Sequence, residues 1–191
     1  MKDTKSGPAL RIPRCLNSNC KAFATVILVN AMVSSQAAVL VVSTLADSGP
    51  GSLRDRVAVS SPGDTIRFSV TGTIVLSSSI NISHTLFVQG PGPSELVVNA
   101  DFVDRAFITG GNPVILSGLE IENGLVLGAP GVNGVFGQNG TAGGDAFGGA
   151  ILDNSNSVSL VLSNCWITGS TAQGGQGGQG GGNPIGAAFV P

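Results

Sequence analysis

Two stretches of the chain, LSGLEIENG from Leu116 and LSNCWITGS from Leu162, align with each other. Leu116, Ser117, Leu119, Ile121 and Gly124 fall on Leu162, Ser163, Cys165, Ile167 and Ser170. TLFVQG from Thr85 fits the same frame through Leu86 and Val88. A second pair, GGDAFGGAILD from Gly143 and GGNPIGAAFVP from Gly181, repeats residues 148–152 as 186–190. One full unit of small-residue turn, two strands and a glycine loop therefore occupies 148–185. A unit this small cannot bury its apolar face alone, so repeated units must stack to make a core.

The rest of the chain keeps that grammar. Val39 to Thr44 reads as a first strand. Short apolar runs follow at TIVLS, TLFVQG, ELVVNA, RAFIT, PVILSGLEIENG, GAILDN and SVSLVLSNCWITG, with Gly, Asn, Pro and Ser between them. Glycine-rich segments grow from equivalent points of successive units, after Ile121-Glu122-Asn123-Gly124 and after Ile167-Thr168-Gly169. Insertions on one face mark a stacked architecture. The expected fold is all-β: a right-handed parallel β-helix (a solenoid) with Asn123 and Gly124 at a left-handed corner. The run GGQGGQGGG has the composition of a flexible linker.

A stacked column has an open end, whose bare apolar section and unpaired edge invite aggregation. GSLRDRVAVS supplies a short N-terminal capping helix. Ser52 followed by Asp55 resembles a capping box, and Leu53 and Val57 share one helical face. Ser61-Pro62-Gly63-Asp64 then suits a type II turn, and Ile66, Phe68 and Val70 alternate into the first coil.

The first 37 residues read differently. Lys2, Lys5, Arg11, Arg14 and Lys21 precede the apolar run AFATVILVNAMVSSQAA, which closes on Ser35-Gln36-Ala37. That is the three-part pattern of a secretory signal peptide, and the run is too short and too polar for a membrane span. The expected organisation is a signal peptide over 1–37, a strand and capping helix over 38–64, and coils over 65–191. Glycine-rich insertions fall at 125–148 and 171–184. After removal of 1–37, four arginines face ten carboxylates, a balance of −6. A chain of that sign without a basic cluster suits neither nucleic acid nor an anionic membrane surface.

The leader VVSTLADSGPGSLRDRVAVSSPGDTIRF resembles that of bacterial secreted right-handed β-helix proteins, of the pectin-lyase-like fold. Asp47, Gly49, Gly51, Ser52, Leu53, Arg54, Val57, Gly63, Asp64, Ile66 and Phe68 carry the match. Arg56 stands where alanine is usual. GGAI at 148 and SNCWITGSTAQGG at 163 are similar to the polymorphic outer-membrane-protein repeat, with Trp166 for its Phe and Gly169 for its Asn. The resemblance implies a secreted, cell-surface or outer-membrane protein, often an adhesin or autotransporter passenger. Such proteins are usually longer, so an N-terminal fragment is expected, either monomeric or part of a longer polypeptide. Glycans or surface proteins are the partners it implies.

The expected role is structural or adhesive, without a catalytic site, and a plain structural stalk is a further reading; enzymes of the same fold, polysaccharide lyases and glycoside hydrolases, are the alternative. They use clustered carboxylates for calcium and basic side chains as base and clamp. The best local cluster is Asp101, Asp104 and Arg105, but an odd spacing sends the two carboxylates to opposite faces of a strand. His84 has no orienting partner visible for a base. Cys15 and Cys20 lie in the basic leader, and Cys165 reads as a small buried residue. Asn81-Ile-Ser83 and Asn139-Gly-Thr141 match the short glycosylation pattern. No catalytic, cofactor-binding or metal-binding residue is therefore assigned, and no cofactor. Exposed aromatics or a polar ladder along one face would favour binding. A converging carboxylate cluster with a cation would favour an enzyme.

Overall fold

The computed structural model describes residues 36–155 and 159–182. The export segment expected over 1–37, apart from Gln36 and Ala37, and the second glycine-led repeat at 186–190 lie outside the described residues. After β1 (Val39–Val42) the chain winds through three strands per coil. The first coil is β2 (Asp64–Phe68), β3 (Gly72–Val75) and β4 (Ile80–Ile82). The second is β5 (Leu86–Gln89), β6 (Leu96–Asn99) and β7 (Phe107–Thr109). The third is β8 (Val114–Ser117), β9 (Glu120–Glu122) and β11 (Ile151–Asp153), with β10 (Leu125–Leu127) leading an insertion between the last two. The fourth holds β12 (Leu160–Ser163) and β13 (Trp166–Thr168), followed by β14 (Thr171–Gln173).

Corresponding strands of successive coils pair in parallel. They form sheet A (β1-β2-β5-β8-β12), sheet B (β3-β6-β9-β13) and sheet C (β4-β7-β11). This is a parallel β-helix. Its core is made of columns that follow from register. In sheet A, Leu40, Ile66, Val88, Leu116 and Leu162 stack. In sheet B, Ile74, Val98, Ile121 and Ile167 stack. Both repeat partners expected from sequence, Leu116 with Leu162 and Ile121 with Ile167, are layered one over the other. Leu116 and Ile121 are fully buried, whereas Leu162 and Ile167 on the fourth coil are 41% and 48% exposed.

Two long apolar runs break into two strands each. The break between β8 and β9 falls at Gly118 (φ +63°), and that between β12 and β13 at Asn164 (φ +50°). The next corner is left-handed at Asn123 (φ +56°) and Gly169 (φ +57°). Gly124 does not share that angle. It is required because a Cβ there would sit 2.1 Å from the Gly149 carbonyl oxygen. Strand β4 was absent from the sequence expectation. Ile80 and Ile82 point inward, but two apolar residues among Ser and Asn give an alternation too short to stand out.

The first coil is closed as expected. Helix α1 (Leu53–Val59) starts at Ser52, whose hydroxyl accepts from the Asp55 amide, and buries Leu53 and Val57 in the core. The Asp55 carboxylate accepts from the Gly51 amide at 2.9 Å, one residue before the N-cap, while the Ser52 amide donates to Gly49 O, so the reciprocal bond of a capping box is displaced by one residue. Arg54 ties the helix to the turn before β4, donating to Asp47 (2.7 Å), Ser78 O (2.7 Å) and Ser79 O (3.0 Å). The turn before β2 has Gly63 at φ +93° and a hydrogen bond from the Asp64 amide to Ser61 O, as a type II turn requires.

The glycine segments are not loose. Three lengths of chain, 128–136, 138–146 and 173–181, run side by side. The second returns after a turn at Gly137 (φ +76°). Gly128, Gly131 and Gly134 donate to the carbonyls of Gln173, Gln176 and Gln179 at 2.7–2.8 Å. Gly144 and Thr141 donate to Ala129 and Val132, and Gly175, Gly178 and Gly181 donate to Gly144, Thr141 and Gln138. The contact repeats every third residue, the period of a polyproline II helix. At Gly131 a Cβ would lie 2.2 Å from Thr141 O, and at Gly178 2.0 Å from Val132 O, so only glycine fits these axial positions. The linker-like composition of GGQGGQGGG is thus built into a packed lobe, seeded by parallel pairing of β10 with β14.

Candidate functional site

The outward side of sheet B carries an exposed tryptophan and several polar side chains. Strand alternation puts Ile121 inward and Glu120 and Glu122 outward. Register then builds two outward columns. One runs Thr73, Val97, Glu120, Trp166, and the other Val75, Asn99, Glu122, Thr168. Neighbouring strands lie about 4.8 Å apart, and residues two apart on a strand about 6.6 Å. Trp166 therefore stands beside Glu120 and diagonal to Glu122, though they are far apart in sequence. It is the sole tryptophan of the chain and is 53% exposed.

The polar groups of this face are held in place. Thr168 Oγ1 donates to Glu120 Oε1 at 3.0 Å. Asn99 Oδ1 accepts from the Asp101 amide at 2.7 Å and from Asn123 Nδ2 at 3.4 Å. Beyond Asn99 the chain turns through Asp101 (φ +51°) and Phe102 (φ +57°). A left-handed phenylalanine is uncommon. Here it is fixed by the Phe102 amide donating to Asn123 O at 2.7 Å. Phe102 is exposed, giving a second aromatic in the loop that borders the face. Chemically, this surface offers a flat aromatic at its edge, with a carboxylate and a hydroxyl beside it and an amide two strands away.

The residues weighed from sequence lie elsewhere or are engaged. Asp101 is exposed in the turn, while Asp104 pairs with Arg105 at 3.6 Å. Arg105 also donates to Gly148 O and Phe147 O, so it fastens the loop to the coil above. His84 Nε2 lies 2.9 Å from Ser60 Oγ, a partner sequence did not reveal, at the entrance to β5. Cys165 is half-buried, with Sγ 3.4 Å from Leu116 O. Among the described residues no three His, Cys, Asp or Glu side chains are grouped to hold a metal ion. A groove of about 240 Å³ on the glycine lobe is lined by Leu127, Pro130, Gln173, Gln176 and three glycines, with no titratable side chain.

Two buried or half-buried carboxylates sit at the helix end of the molecule. Asp64 accepts from the Ser61 and Ala38 amides at 2.8 and 2.7 Å, and these bonds hold its pKa below the ordinary value of 3.8. Burial alone would raise that of Asp47, but bonds from Ser77 and Arg54 outweigh it and lower the value. Both serve the cap rather than the face of sheet B.

No protein-family model and no solved structure matches the chain. Among curated proteins it is similar to two named Probable pectate lyase C, from Aspergillus oryzae and Aspergillus flavus. Each is 48% identical over 61 residues, which is 32% of this chain and 14% of the relative. The chain thus spans a small part of those proteins. The likeness agrees with the parallel β-helix that the sheets display.

Proposed function

We propose that this chain is a secreted or cell-surface β-helix segment that binds carbohydrate on the outer face of sheet B, without a catalytic site of its own. The observation that carries the reading is Trp166, 53% exposed on the edge strand of sheet B, beside Glu120 and Thr168, with Glu122 diagonal to it and Asn99 two strands away on the same face. The apolar plane of the indole suits the C–H face of a sugar ring, while Glu120, Glu122, Asn99 and Thr168 suit the hydroxyls. Export through residues 1–37 is part of the same proposal.

The test is binding of the full chain to a panel of surface and cell-wall glycans. Trp166→Ala is expected to weaken binding at least tenfold, about 1.4 kcal/mol. It should leave stability within about 0.5 kcal/mol, because the side chain is largely exposed. Unchanged binding by the variant would remove the face from consideration.

The Aspergillus likeness favours a second reading, cleavage of a polyuronate. Calcium takes six to eight oxygen ligands, and the outward columns bring only two carboxylates together, so the donor set does not fit unaided. The same columns hold no Lys, Arg or His to act as base or clamp. Release of unsaturated oligouronides from polygalacturonate, with added calcium, would replace the binding proposal with this one.

A further inference from the structure

Resting on the proposal that the sheet B face binds glycan, we infer that its ligand is an amine-bearing glycan, a polymer of amino sugars with free ammonium groups. The argument is charge complementarity. Neither outward column contains a cation, and each contains a glutamate. Glu95 is exposed at the entrance to β6 and adds to the same sign. The arginines are committed elsewhere: Arg54 to Asp47, Arg56 to Asp55 and Arg105 to Asp104. Arg67 projects from the outer face of sheet A, where it donates to Gln89 at 3.1 Å. No described side chain is therefore placed to neutralise Glu120 and Glu122.

That arrangement discriminates between sugars. A uronate meeting these glutamates is opposed by like-charge repulsion even in water, and by more where the face is desolvated. A neutral sugar can stack on Trp166 but leaves the carboxylate charge unused. An ammonium group gains twice: charge-assisted hydrogen bonds to a carboxylate and attraction to the negative face of the indole. Thr168 holds Oε1 of Glu120, which leaves Oε2 for the ligand. The two glutamates, about 6.6 Å apart along β9, give two contacts along one ligand chain.

The experiment titrates the full chain with oligomers of glucosamine, of N-acetylglucosamine, of an uncharged glucan and of galacturonate, the last with and without calcium. Glucosamine oligomers are expected to bind at least tenfold more tightly than their N-acetylated counterparts. Glu120→Gln and Glu122→Gln should each cut that advantage severalfold while leaving binding of the neutral oligomers in place. Asp145→Asn removes one carboxylate from the glycine lobe. It should keep the advantage, so an equal loss in all three variants would mean only attraction to net charge and would overturn the inference. Equal or tighter binding of the N-acetylated or neutral oligomers overturns it too, but keeps the glycan-binding reading. Preference for galacturonate with calcium overturns it in favour of the lyase reading. Binding of none defeats the glycan-binding reading itself.

Discussion

In the coils, side chains do the packing; in the glycine lobe, backbones do. Each coil sends Val, Ile and Leu inward, and register stacks them into aliphatic columns. Full burial of one such side chain contributes about 1.5–3 kcal/mol. The lobe removes side chains from its axis, so that three backbones approach closely enough to bond one another every third residue. Its outer residues, including Val132, Val135 and Phe136, stay exposed. Stability in the first region thus rests on volume and hydrophobicity. In the second it rests on the absence of a Cβ at chosen positions, against the large entropy that glycine loses on ordering. The two regions should fail differently.

The largest effect is expected where a column is cut in the middle. Ile121→Ala removes a buried layer between Val98 and Ile167 and should cost about 2–5 kcal/mol, seen as a lower urea midpoint for the whole unit. A loss confined to the fourth coil would instead mean that the coils melt one by one, which sharpens the contrast toward repeat-like behaviour.

A smaller effect separates axial from outward glycines. Gly178→Ala places a methyl 2.0 Å from Val132 O, whereas at Gly177 the nearest atom is 3.8 Å away. The first should destabilise the lobe by about 1–3 kcal/mol, as overpacking does. Amide exchange at Gly128, Gly131 and Gly134 should quicken while the sheets keep their protection. The second should change little. Equal tolerance at both sites would break the period-three account of the lobe.

The smallest effect is in acid and belongs to the coil end alone. Asp47 and Asp64 have pKa values below 3.8 in the folded chain, so the unfolded chain takes up their protons first as pH falls. The stability they contribute is complete above about 3.8 and is lost as pH drops through the folded values. Urea midpoints measured on either side should show this decline, and Asp47→Asn with Asp64→Asn should flatten it. The lobe places no such carboxylate in its axis, so its exchange rates, corrected for intrinsic pH dependence, should not follow.

Much of the coil architecture is legible in one dimension. Alternation of apolar residues is a local property, and the match of Leu116 and Ile121 to Leu162 and Ile167 fixes which layers meet. Capping is equally local: Ser52 and Asp55 stand three apart whatever surrounds them. Strand β4 escaped because its two isoleucines stand among Ser and Asn, without the flanking apolar residues that marked the other short strands. The period of three in the glycines is written in the sequence, yet one such chain alone is a linker; it becomes a packed axis only when two others lie against it.

The candidate face shows the same division. In the sequence Trp166 stands in place of a repeat phenylalanine, and nothing singles out Glu120 or Glu122. By itself the sequence determined the columns, the cap and the acidic balance, because periodicity, capping chemistry and composition act between near neighbours or over the chain as a whole. The repeat match already sets Trp166 over Glu120 and Thr168 over Glu122; tertiary structure alone brought Thr73, Val75, Val97 and Asn99 onto the same surface, because register places side chains from different coils about 4.8 Å apart. It likewise decided that the glycines are ordered, since a close backbone approach has no meaning until there is a second backbone to approach.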